Sequence, residues 1–332
     1  MKLLLAAWMY PHHNASSGYG QLCRFVDAAC IRSTDVALAQ APEGSLRWQF
    51  GRKWFDARIL MAAARSDLVH FLYAENHLRL LFAAARCLHP RVKLVGTVHL
   101  PLDYYSLPHS IAALQKLDGI ITLTSGQADE VHGHLPDKIV RFIPHGCIVD
   151  HPHRDRDAHR EAASFNIAVV GSNYRDWTVL KSVMQQAADR HLDWRFHLIG
   201  LPAGRRREFE SLPSAIVHSR LAEAEYYGVL NRSHVLFMPV TFATANNALL
   251  EAHSVGLPAV CTDLPGVRDY AVSSTALFSG AENALNLLHR LHDMSDDTFR
   301  GLRDQTRREG KTFSWPQIAQ RVLEVYNLVC RG

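Results

Sequence analysis

Short apolar runs alternate with longer stretches of mixed polarity along the first half of the chain. The runs are rich in leucine, isoleucine and valine and have the length of buried β-strands. They predict strands over 2–9, 68–72, 93–98, 119–123 and 139–143, separated by helices that include 21–30, 53–64 and 77–87. This alternation is typical of a parallel sheet with helices on both faces.

The polar segment 150–164 interrupts the alternation, which then resumes. Strands are predicted over 165–170, 194–199, 215–218, 234–239 and 257–262, and helices over 178–191, 222–231 and 248–254. An amphipathic helix over 318–329 follows Trp315 and Pro316. We therefore predict two doubly wound α/β domains, 1–150 and 151–312, followed by a C-terminal helical segment, 313–332.

Composition narrows the class of protein without naming a function. The chain has 332 residues, of which 48% are hydrophobic and 20% charged, as expected of a globular protein with sizeable cores. The net charge of +4 is too small and too dispersed to favour nucleic acid. It suits anionic ligands such as nucleotide diphosphates, and peripheral contact with an anionic membrane surface.

Cysteine usage and the first residues indicate a cytoplasmic protein. The six cysteines are scattered without a C-x-x-C pair, so we expect reduced, mostly buried thiols in a reducing compartment. The first apolar run leads into Tyr10-Pro11 rather than a small-residue cleavage site, which favours a buried strand over a leader. No run reaches the roughly 18 apolar residues that a membrane-spanning helix needs.

Twenty histidines raise the question of a metal, but their spacing does not support one. The densest cluster, His151, His153 and His159, lies in the polar segment among arginines and aspartates. The chain has no H-E-x-x-H motif and no Cys/His ligand spacing. We therefore predict that no metal is bound.

The loops that follow predicted strands carry the candidate chemistry, because ligands of open α/β sheets collect at the carboxyl ends of strands. The turn 16–20, Ser-Ser-Gly-Tyr-Gly, would let a backbone approach an anion, although it is not a dinucleotide fingerprint. The turn that begins at Gly171 contains Arg175, whose guanidinium could clamp a diphosphate without a metal. A tight turn and an unengaged surface arginine are the alternatives.

The segment 241–263 is the most specific. It predicts a loop after a strand, a short helix, and a stop at Gly256-Leu257-Pro258 before the next strand. Glu251, one turn into the helix, could accept hydrogen bonds from vicinal sugar hydroxyls while the helix N-terminus faces phosphate. On its own, Glu251 could equally be a partner of the helix dipole.

Leu249-Leu250-Glu251-Ala252 with Gly256-Leu257-Pro258 and Val260 resembles the donor-binding signature of family-4 retaining glycosyltransferases. Weaker similarities follow in the family's order at 18–20, 97–99, 121–125, 144–146, 170–175 and 313–315. The resemblance spans nearly the whole chain. It implies a GT-B fold, in which two Rossmann-like domains face each other across a cleft and the C-terminal helix crosses back onto the first domain.

The resemblance also implies a retaining, metal-independent transfer of a sugar from a nucleotide-diphosphate sugar. Its catalytic residues would be His99, beside the donor sugar, and Arg175, at the diphosphate. Glu251 would bind the ribose, and the amides near Asn247 and Ala248 the phosphates. The full donor set is Gly18, Gly171, Arg175, Lys181, Asn246, Asn247, Ala248, Leu249 and Glu251. The acceptor, a sugar, lipid-linked or small molecule in surface-polysaccharide or small-molecule glycosylation, would meet loops with Glu75, His77, Asp103 and Tyr104.

Two departures from the family pattern leave alternatives open. Ala243 stands where the family usually has a second glutamate that touches the donor sugar. Ser172 replaces the usual arginine of the basic loop, so Arg175 competes with Lys181 for the diphosphate. The alternatives to a transferase are a nucleotide-sugar epimerase of the same fold and a non-catalytic partner subunit.

Overall fold

The computed structural model describes residues 1–10, 18–77, 80–104, 106–150 and 164–332. Its strands are β1 Leu3–Ala7, β2 Ala29–Arg32, β3 Leu68–Phe71, β4 Lys93–Val98, β5 Gly119–Thr122, β6 Ile139–Phe142, β7 Phe165–Val170, β8 Trp194–Ile199, β9 Ala215–Val217, β10 Val235–Met238, β11 Ala259–Thr262 and β12 Thr275–Phe278. Its α-helices are α1 Leu46–Ala63, α2 Leu81–Leu88, α3 Leu107–Leu114, α4 Ser125–His134, α5 Trp177–Asp189, α6 Arg206–Glu210, α7 Glu223–Arg232, α8 Asn247–Val255, α9 Pro265–Arg268, α10 Ala281–His292, α11 Asp296–Gly310 and α12 Trp315–Arg331.

The chain forms two compact units, each built on one parallel sheet of six strands. The first unit contains Met1–Gly146 and Trp315–Gly332, and the second contains Cys147–Ser314. The strand order is β2-β1-β3-β4-β5-β6 in the first unit and β12-β11-β10-β7-β8-β9 in the second. These orders are those of doubly wound folds. In such a fold, successive strands are added first toward one edge of the sheet and then, from one switch point, toward the other. The fold class is therefore as predicted.

Strand β2 corrects one sequence prediction. A helix was expected over 21–30, but Tyr19–Arg24 forms a short 3-10 helix and β2 follows at Ala29–Arg32. Cys30 and its neighbours pair in parallel with β1, in the register Leu5 to Cys30. The local pattern of Leu22 and Val26 has helical spacing, so the strand is determined by pairing with β1 rather than by local preference.

The helix α12 completes the first unit, although it lies at the other end of the sequence. Close approach requires glycine beneath it, since a Cβ at Gly119 would lie 2.7 Å from Val329 Cγ2. The hydroxyl of Tyr326 is 2.6 Å from Nδ1 of the buried His70. The other ring nitrogen of His70 is 2.8 Å from the hydroxyl of Thr97. This continuous polar chain satisfies side chains that burial would otherwise leave unpaired.

The second unit is continuous in sequence. Its apolar core includes the fully buried Trp194, Phe196 and Phe237, on β8 and β10. The edge strand β12, which the sequence prediction missed, is only half-buried along most of its length. An edge strand packs on fewer neighbours, so its apolar pattern is weaker.

The cysteines differ from the prediction. Cys23 and Cys30 are joined by a disulfide, which the scattered spacing did not indicate. Cys147 and Cys261 are buried thiols as expected, whereas Cys87 and Cys330 are exposed. The expectation of a cytoplasmic protein rested partly on reduced cysteines, and the disulfide removes that support.

The helices within the described ranges are too short or too polar to cross a lipid bilayer.

Candidate functional site

Two loops meet at the switch point of the second unit, between β7 and β10. The loop after β7 pairs with the chain after β10 through a bridge between Arg175 and Val240. The Asp176 amide donates to the Pro239 carbonyl at 3.0 Å, and the Thr241 amide donates to the Tyr174 carbonyl at 2.9 Å. Switch points are where open α/β sheets bind ligands. The backbone bonds fix the two loops against each other there.

Arg175 is held against the turn that begins at Gly171. Its Nε donates to the Val170 carbonyl at 2.8 Å, and its Nη1 donates to the Asn173 carbonyl at 3.1 Å. Gly171 has φ +90°, and a Cβ there would lie 2.8 Å from Nη2 of Arg175. The backbone conformation therefore requires glycine, and a side chain there would also displace the guanidinium.

The charge of Arg175 has no carboxylate partner among the described residues, because its hydrogen bonds go to backbone carbonyls. Burial lowers the pKa of its guanidinium to about 10, so the group stays protonated at neutral pH. A cation in this position can attract an anion without first breaking an ion pair. Lys181 differs, since its ammonium lies 3.0 Å from a Glu208 carboxylate oxygen.

The N-terminus of α8 lies in the second of the two loops. The side chain of Asn246 caps this helix by accepting from the Leu249 amide at 3.4 Å. Within the described chain, the amides of Asn247 and Ala248 have no hydrogen-bond acceptor. Free amides and the positive end of the helix dipole favour an anion. At the other end, Gly256 ends the helix with φ +74°.

Glu251 lies one turn into α8 and is hydrogen-bonded to Tyr226. The Tyr226 hydroxyl donates to Glu251 Oε2 at 2.5 Å. Burial raises the pKa of the Glu251 carboxyl to about 7; the Tyr226 bond opposes the rise, and the negative charge of Glu223 adds to it. Its second oxygen can accept a hydroxyl of a ligand. Tyr226, on α7, has no motif around it, and sequence reasoning missed it.

Ala243 is half-buried in the loop that leads into α8. It packs against the apolar cluster that includes Leu249 and Val240. A methyl group at this position offers a ligand an apolar contact and no hydrogen-bond acceptor.

In the first unit, two predicted residues lie at the carboxyl edge of the sheet. Gly18 has φ +85° and precedes the 3-10 helix at Tyr19–Arg24. His99 follows β4, where Nε2 lies 2.7 Å from the Leu72 carbonyl and the ring stacks on Tyr73 at 4.2 Å. The imidazole of His99 is therefore fixed in orientation. Residues 16 and 17 of the glycine turn lie outside the described residues.

The predicted acceptor residues are in three different environments. Glu75 is buried below His99, whose amide donates to Oε2 at 3.4 Å, and burial raises the pKa of the Glu75 carboxyl to about 8. His77 instead is buried, with its Nδ1 2.9 Å from Asp56 Oδ1, and packs between phenylalanine rings. Asp103 and Tyr104 are exposed in the loop after β4. Only Glu75 therefore lies beside His99.

The histidine cluster at His151, His153 and His159 lies outside the described residues. Within the described ranges, the ligand atoms of His289, His292 and Asp293 come within 4.8 Å of one another. His289 packs on Trp194, the first residue of β8, so this group lies at the amino edge of the sheet. That edge is opposite the loops that hold Arg175.

A protein family model matches most of the second unit. Residues 162–297 match the family model described as group 1 glycosyl transferases. No curated protein sequence matches the chain. The family match covers both loops of the switch point, including Arg175 and Glu251.

Solved structures share the fold over the whole chain. Sucrose-phosphate synthase from Thermosynechococcus elongatus is 16% identical with a TM-score of 0.73, covering 99% of each chain. HepE from Anabaena, in complex with UDP-glucose, is 12% identical with a TM-score of 0.73, covering 98% of this chain and 100% of its own. A glycosyltransferase from Rickettsia africae is 11% identical with a TM-score of 0.67, covering 100% of this chain and 99% of its own. The chain thus has the GT-B fold, and residues 162–297 of its second unit match the group 1 glycosyl transferase family.

Proposed function

We propose that this protein transfers a sugar from a nucleotide-diphosphate sugar to a sugar, lipid-linked or small-molecule acceptor, with retention of anomeric configuration. The observation that carries the proposal is the cation of Arg175, which has no carboxylate partner in the described part of the chain, at the switch point that also holds the N-terminus of α8. Two independent sources of positive potential suit a diphosphate better than a neutral ligand. HepE, with the same fold, was solved with UDP-glucose.

Each residue has a distinct role in the proposal. Arg175 and the amides of Asn247 and Ala248 bind the diphosphate and stabilise its charge as it leaves. Glu251, held by Tyr226, accepts hydrogen bonds from the ribose hydroxyls. His99 acts on the donor sugar as the resemblance implies, through an imidazole whose orientation Leu72 and Tyr73 fix. Surface-polysaccharide and small-molecule glycosylation are the processes proposed.

A panel of nucleotide sugars tests this function directly. Each donor is screened for a thermal shift and for hydrolysis to the free nucleoside diphosphate. At least one donor is expected to do both. Binding without hydrolysis or transfer to any tested acceptor would favour a non-catalytic partner subunit, and isomerisation of the sugar with the diphosphate retained would favour an epimerase.

Metal independence is a separate prediction. Since Arg175 and the helix N-terminus supply the positive charge, turnover is expected to continue in saturating EDTA at an unchanged rate. The measurement compares initial rates before and after chelation and after adding back Mg²⁺ or Mn²⁺. Loss of turnover that either ion restores would show that the diphosphate needs a metal.

Ala243 makes a prediction about the donor sugar. A hydroxyl buried against its methyl group without a partner would cost about 1–3 kcal/mol, so the native donor is expected to be a deoxy, amino or otherwise substituted sugar. Ala243→Glu is expected to shift kcat/KM toward donors with the extra hydroxyl. Ala245→Glu, two residues along the same loop, is the matched control. Identical donor profiles for wild type and Ala243→Glu would mean that position 243 does not touch the sugar.

A further inference from the structure

The helix α1 exposes a stripe of large apolar side chains on the first unit. Its exposed members and their exposed fractions are Leu46 73%, Phe50 63%, Trp54 55% and Met61 59%. At about 100° per residue, the four side chains lie within an arc of about 80° around the helix axis. The opposite face, with Phe55, Ile59 and Ala63, is buried in the unit. The helix is therefore apolar on two opposite faces, and only one of them is used by the fold.

Basic residues border the exposed stripe. Arg47 and Lys53 are exposed on its two sides, and Arg65 is exposed just beyond the helix. Over Leu46–Ala63 there are four basic residues and one acidic residue, Asp56, which is engaged by His77. Within the described chain, none of Arg47, Lys53 and Arg65 has a carboxylate partner. The stripe thus combines an apolar centre with a cationic border.

We propose that this face of α1 docks on an anionic lipid bilayer, lying parallel to the membrane plane. Tryptophan, phenylalanine and leucine on one face, with arginine and lysine at the border, is the chemistry of helices that lie in the headgroup region. Each exposed cation is attracted by the negative potential of anionic lipids. The exposed stripe is about 22 Å long, so several side chains contact the surface together.

A second copy of the chain fits this face less well than a bilayer does. In a two-fold dimer the same patch meets itself. Lys53 lies beside the middle of the stripe, Arg47 near one end and the half-buried Arg58 toward the other, so either direction of pairing places cations opposite cations. A single carboxylate in the helix, already held by His77, cannot compensate them. Charge complementarity therefore selects an anionic surface.

Vesicle co-flotation tests the proposal on the full chain. Wild type is expected to float with vesicles that contain phosphatidylglycerol and to stay unbound with phosphatidylcholine alone. The double variant Phe50→Ser, Trp54→Ser is expected to lose about tenfold or more of its partitioning, because two large apolar side chains no longer enter the lipid. The double variant Arg47→Gln, Lys53→Gln is expected to lose about 25-fold, and wild-type binding is expected to weaken with added salt.

The matched control removes two exposed apolar side chains from other surfaces, as Ile216→Ser with Leu328→Ser, and is expected to float like wild type. Nucleotide affinity is also measured on all variants. The proposed nucleotide site lies in the second unit and α1 lies in the first, so the docking proposal and the proposed function can fail separately. Equal flotation of wild type and the Phe50, Trp54 variant would overturn the proposal. It would also be overturned if sedimentation velocity showed a lipid-free dimer that this variant converts to monomer.

Discussion

Arg175→Ala is expected to lower kcat/KM by about 10²- to 10³-fold, the effect of removing one pre-placed stabiliser of developing charge. The guanidinium has no carboxylate partner among the described residues, so its charge is available to the leaving diphosphate. The measurement is steady-state kinetics with the donor found in the panel. Lys181→Ala is the rival variant; its ammonium is already paired with Glu208, and we expect less than about a twofold change.

Arg175 also supports the turn, so the control must separate charge from structure. Arg175→Lys keeps a cation but loses the fork that binds the Val170 and Asn173 carbonyls. Added guanidinium is expected to restore part of the activity of Arg175→Ala, since it supplies the missing charge. If Lys181→Ala is the more damaging variant, the diphosphate is bound by Lys181 and the assignment to Arg175 is wrong.

Glu251→Gln is expected to weaken binding of the nucleoside diphosphate by about 1–3 kcal/mol, because an amide is a poorer acceptor for the ribose hydroxyls than a carboxylate. Calorimetric titration of wild type and variant gives this difference. Glu223→Gln, which changes the nearby carboxylate without touching the proposed acceptor oxygen, is the matched control. Unchanged affinity of Glu251→Gln would contradict the ribose assignment.

Burial raises the pKa of the Glu251 carboxyl to about 7, so both nucleotide affinity and protein stability are expected to depend on pH near neutrality. The ribose is bound by the ionised carboxylate, so wild-type affinity relative to Glu251→Gln is expected to fall about tenfold from about pH 8 to about pH 6. Stability of the free protein changes in the opposite sense. The pKa of Glu251 is higher in the folded than in the unfolded protein, so the stability present below the unfolded pKa is lost as pH rises through 7. Because glutamine cannot ionise, Glu251→Gln is expected to raise Tm in that range.

Most strands of both sheets were predictable because each is a short, nearly continuous apolar run, a pattern that does not fit an amphipathic helix. β2 was not, since Leu22 and Val26 have helical spacing and only pairing with β1 selects the extended form. β12 was not predictable either, because an edge strand is less buried and its apolar pattern is therefore weaker. In both cases the deciding contact comes from a part of the chain that a local pattern cannot include.

The candidate site divides in the same way. Arg175 and Glu251 could be named from the sequence, since each follows a predicted strand and lies in a recognisable loop or helix. Two features of the site depend on distances across the second unit, which a local sequence pattern does not contain. Arg175 has no carboxylate partner among the described residues, and Tyr226 holds Glu251. His77 was named for its place after β3, but its ring is buried beside Asp56 because Phe55 and Phe71 enclose it.

The division of the first unit between the two ends of the sequence has a consequence for biosynthesis. As the polypeptide leaves the ribosome, residues 1–146 emerge first but lack α12, so His70 has no Tyr326 and the surface around Gly119 has no Val329. The second unit, Cys147–Ser314, is available in full before Trp315 is synthesised. Domains fold as units once their segments are available. The unit that is made first is therefore completed last, and the surface that α12 covers stays uncovered for the time it takes to translate the second unit.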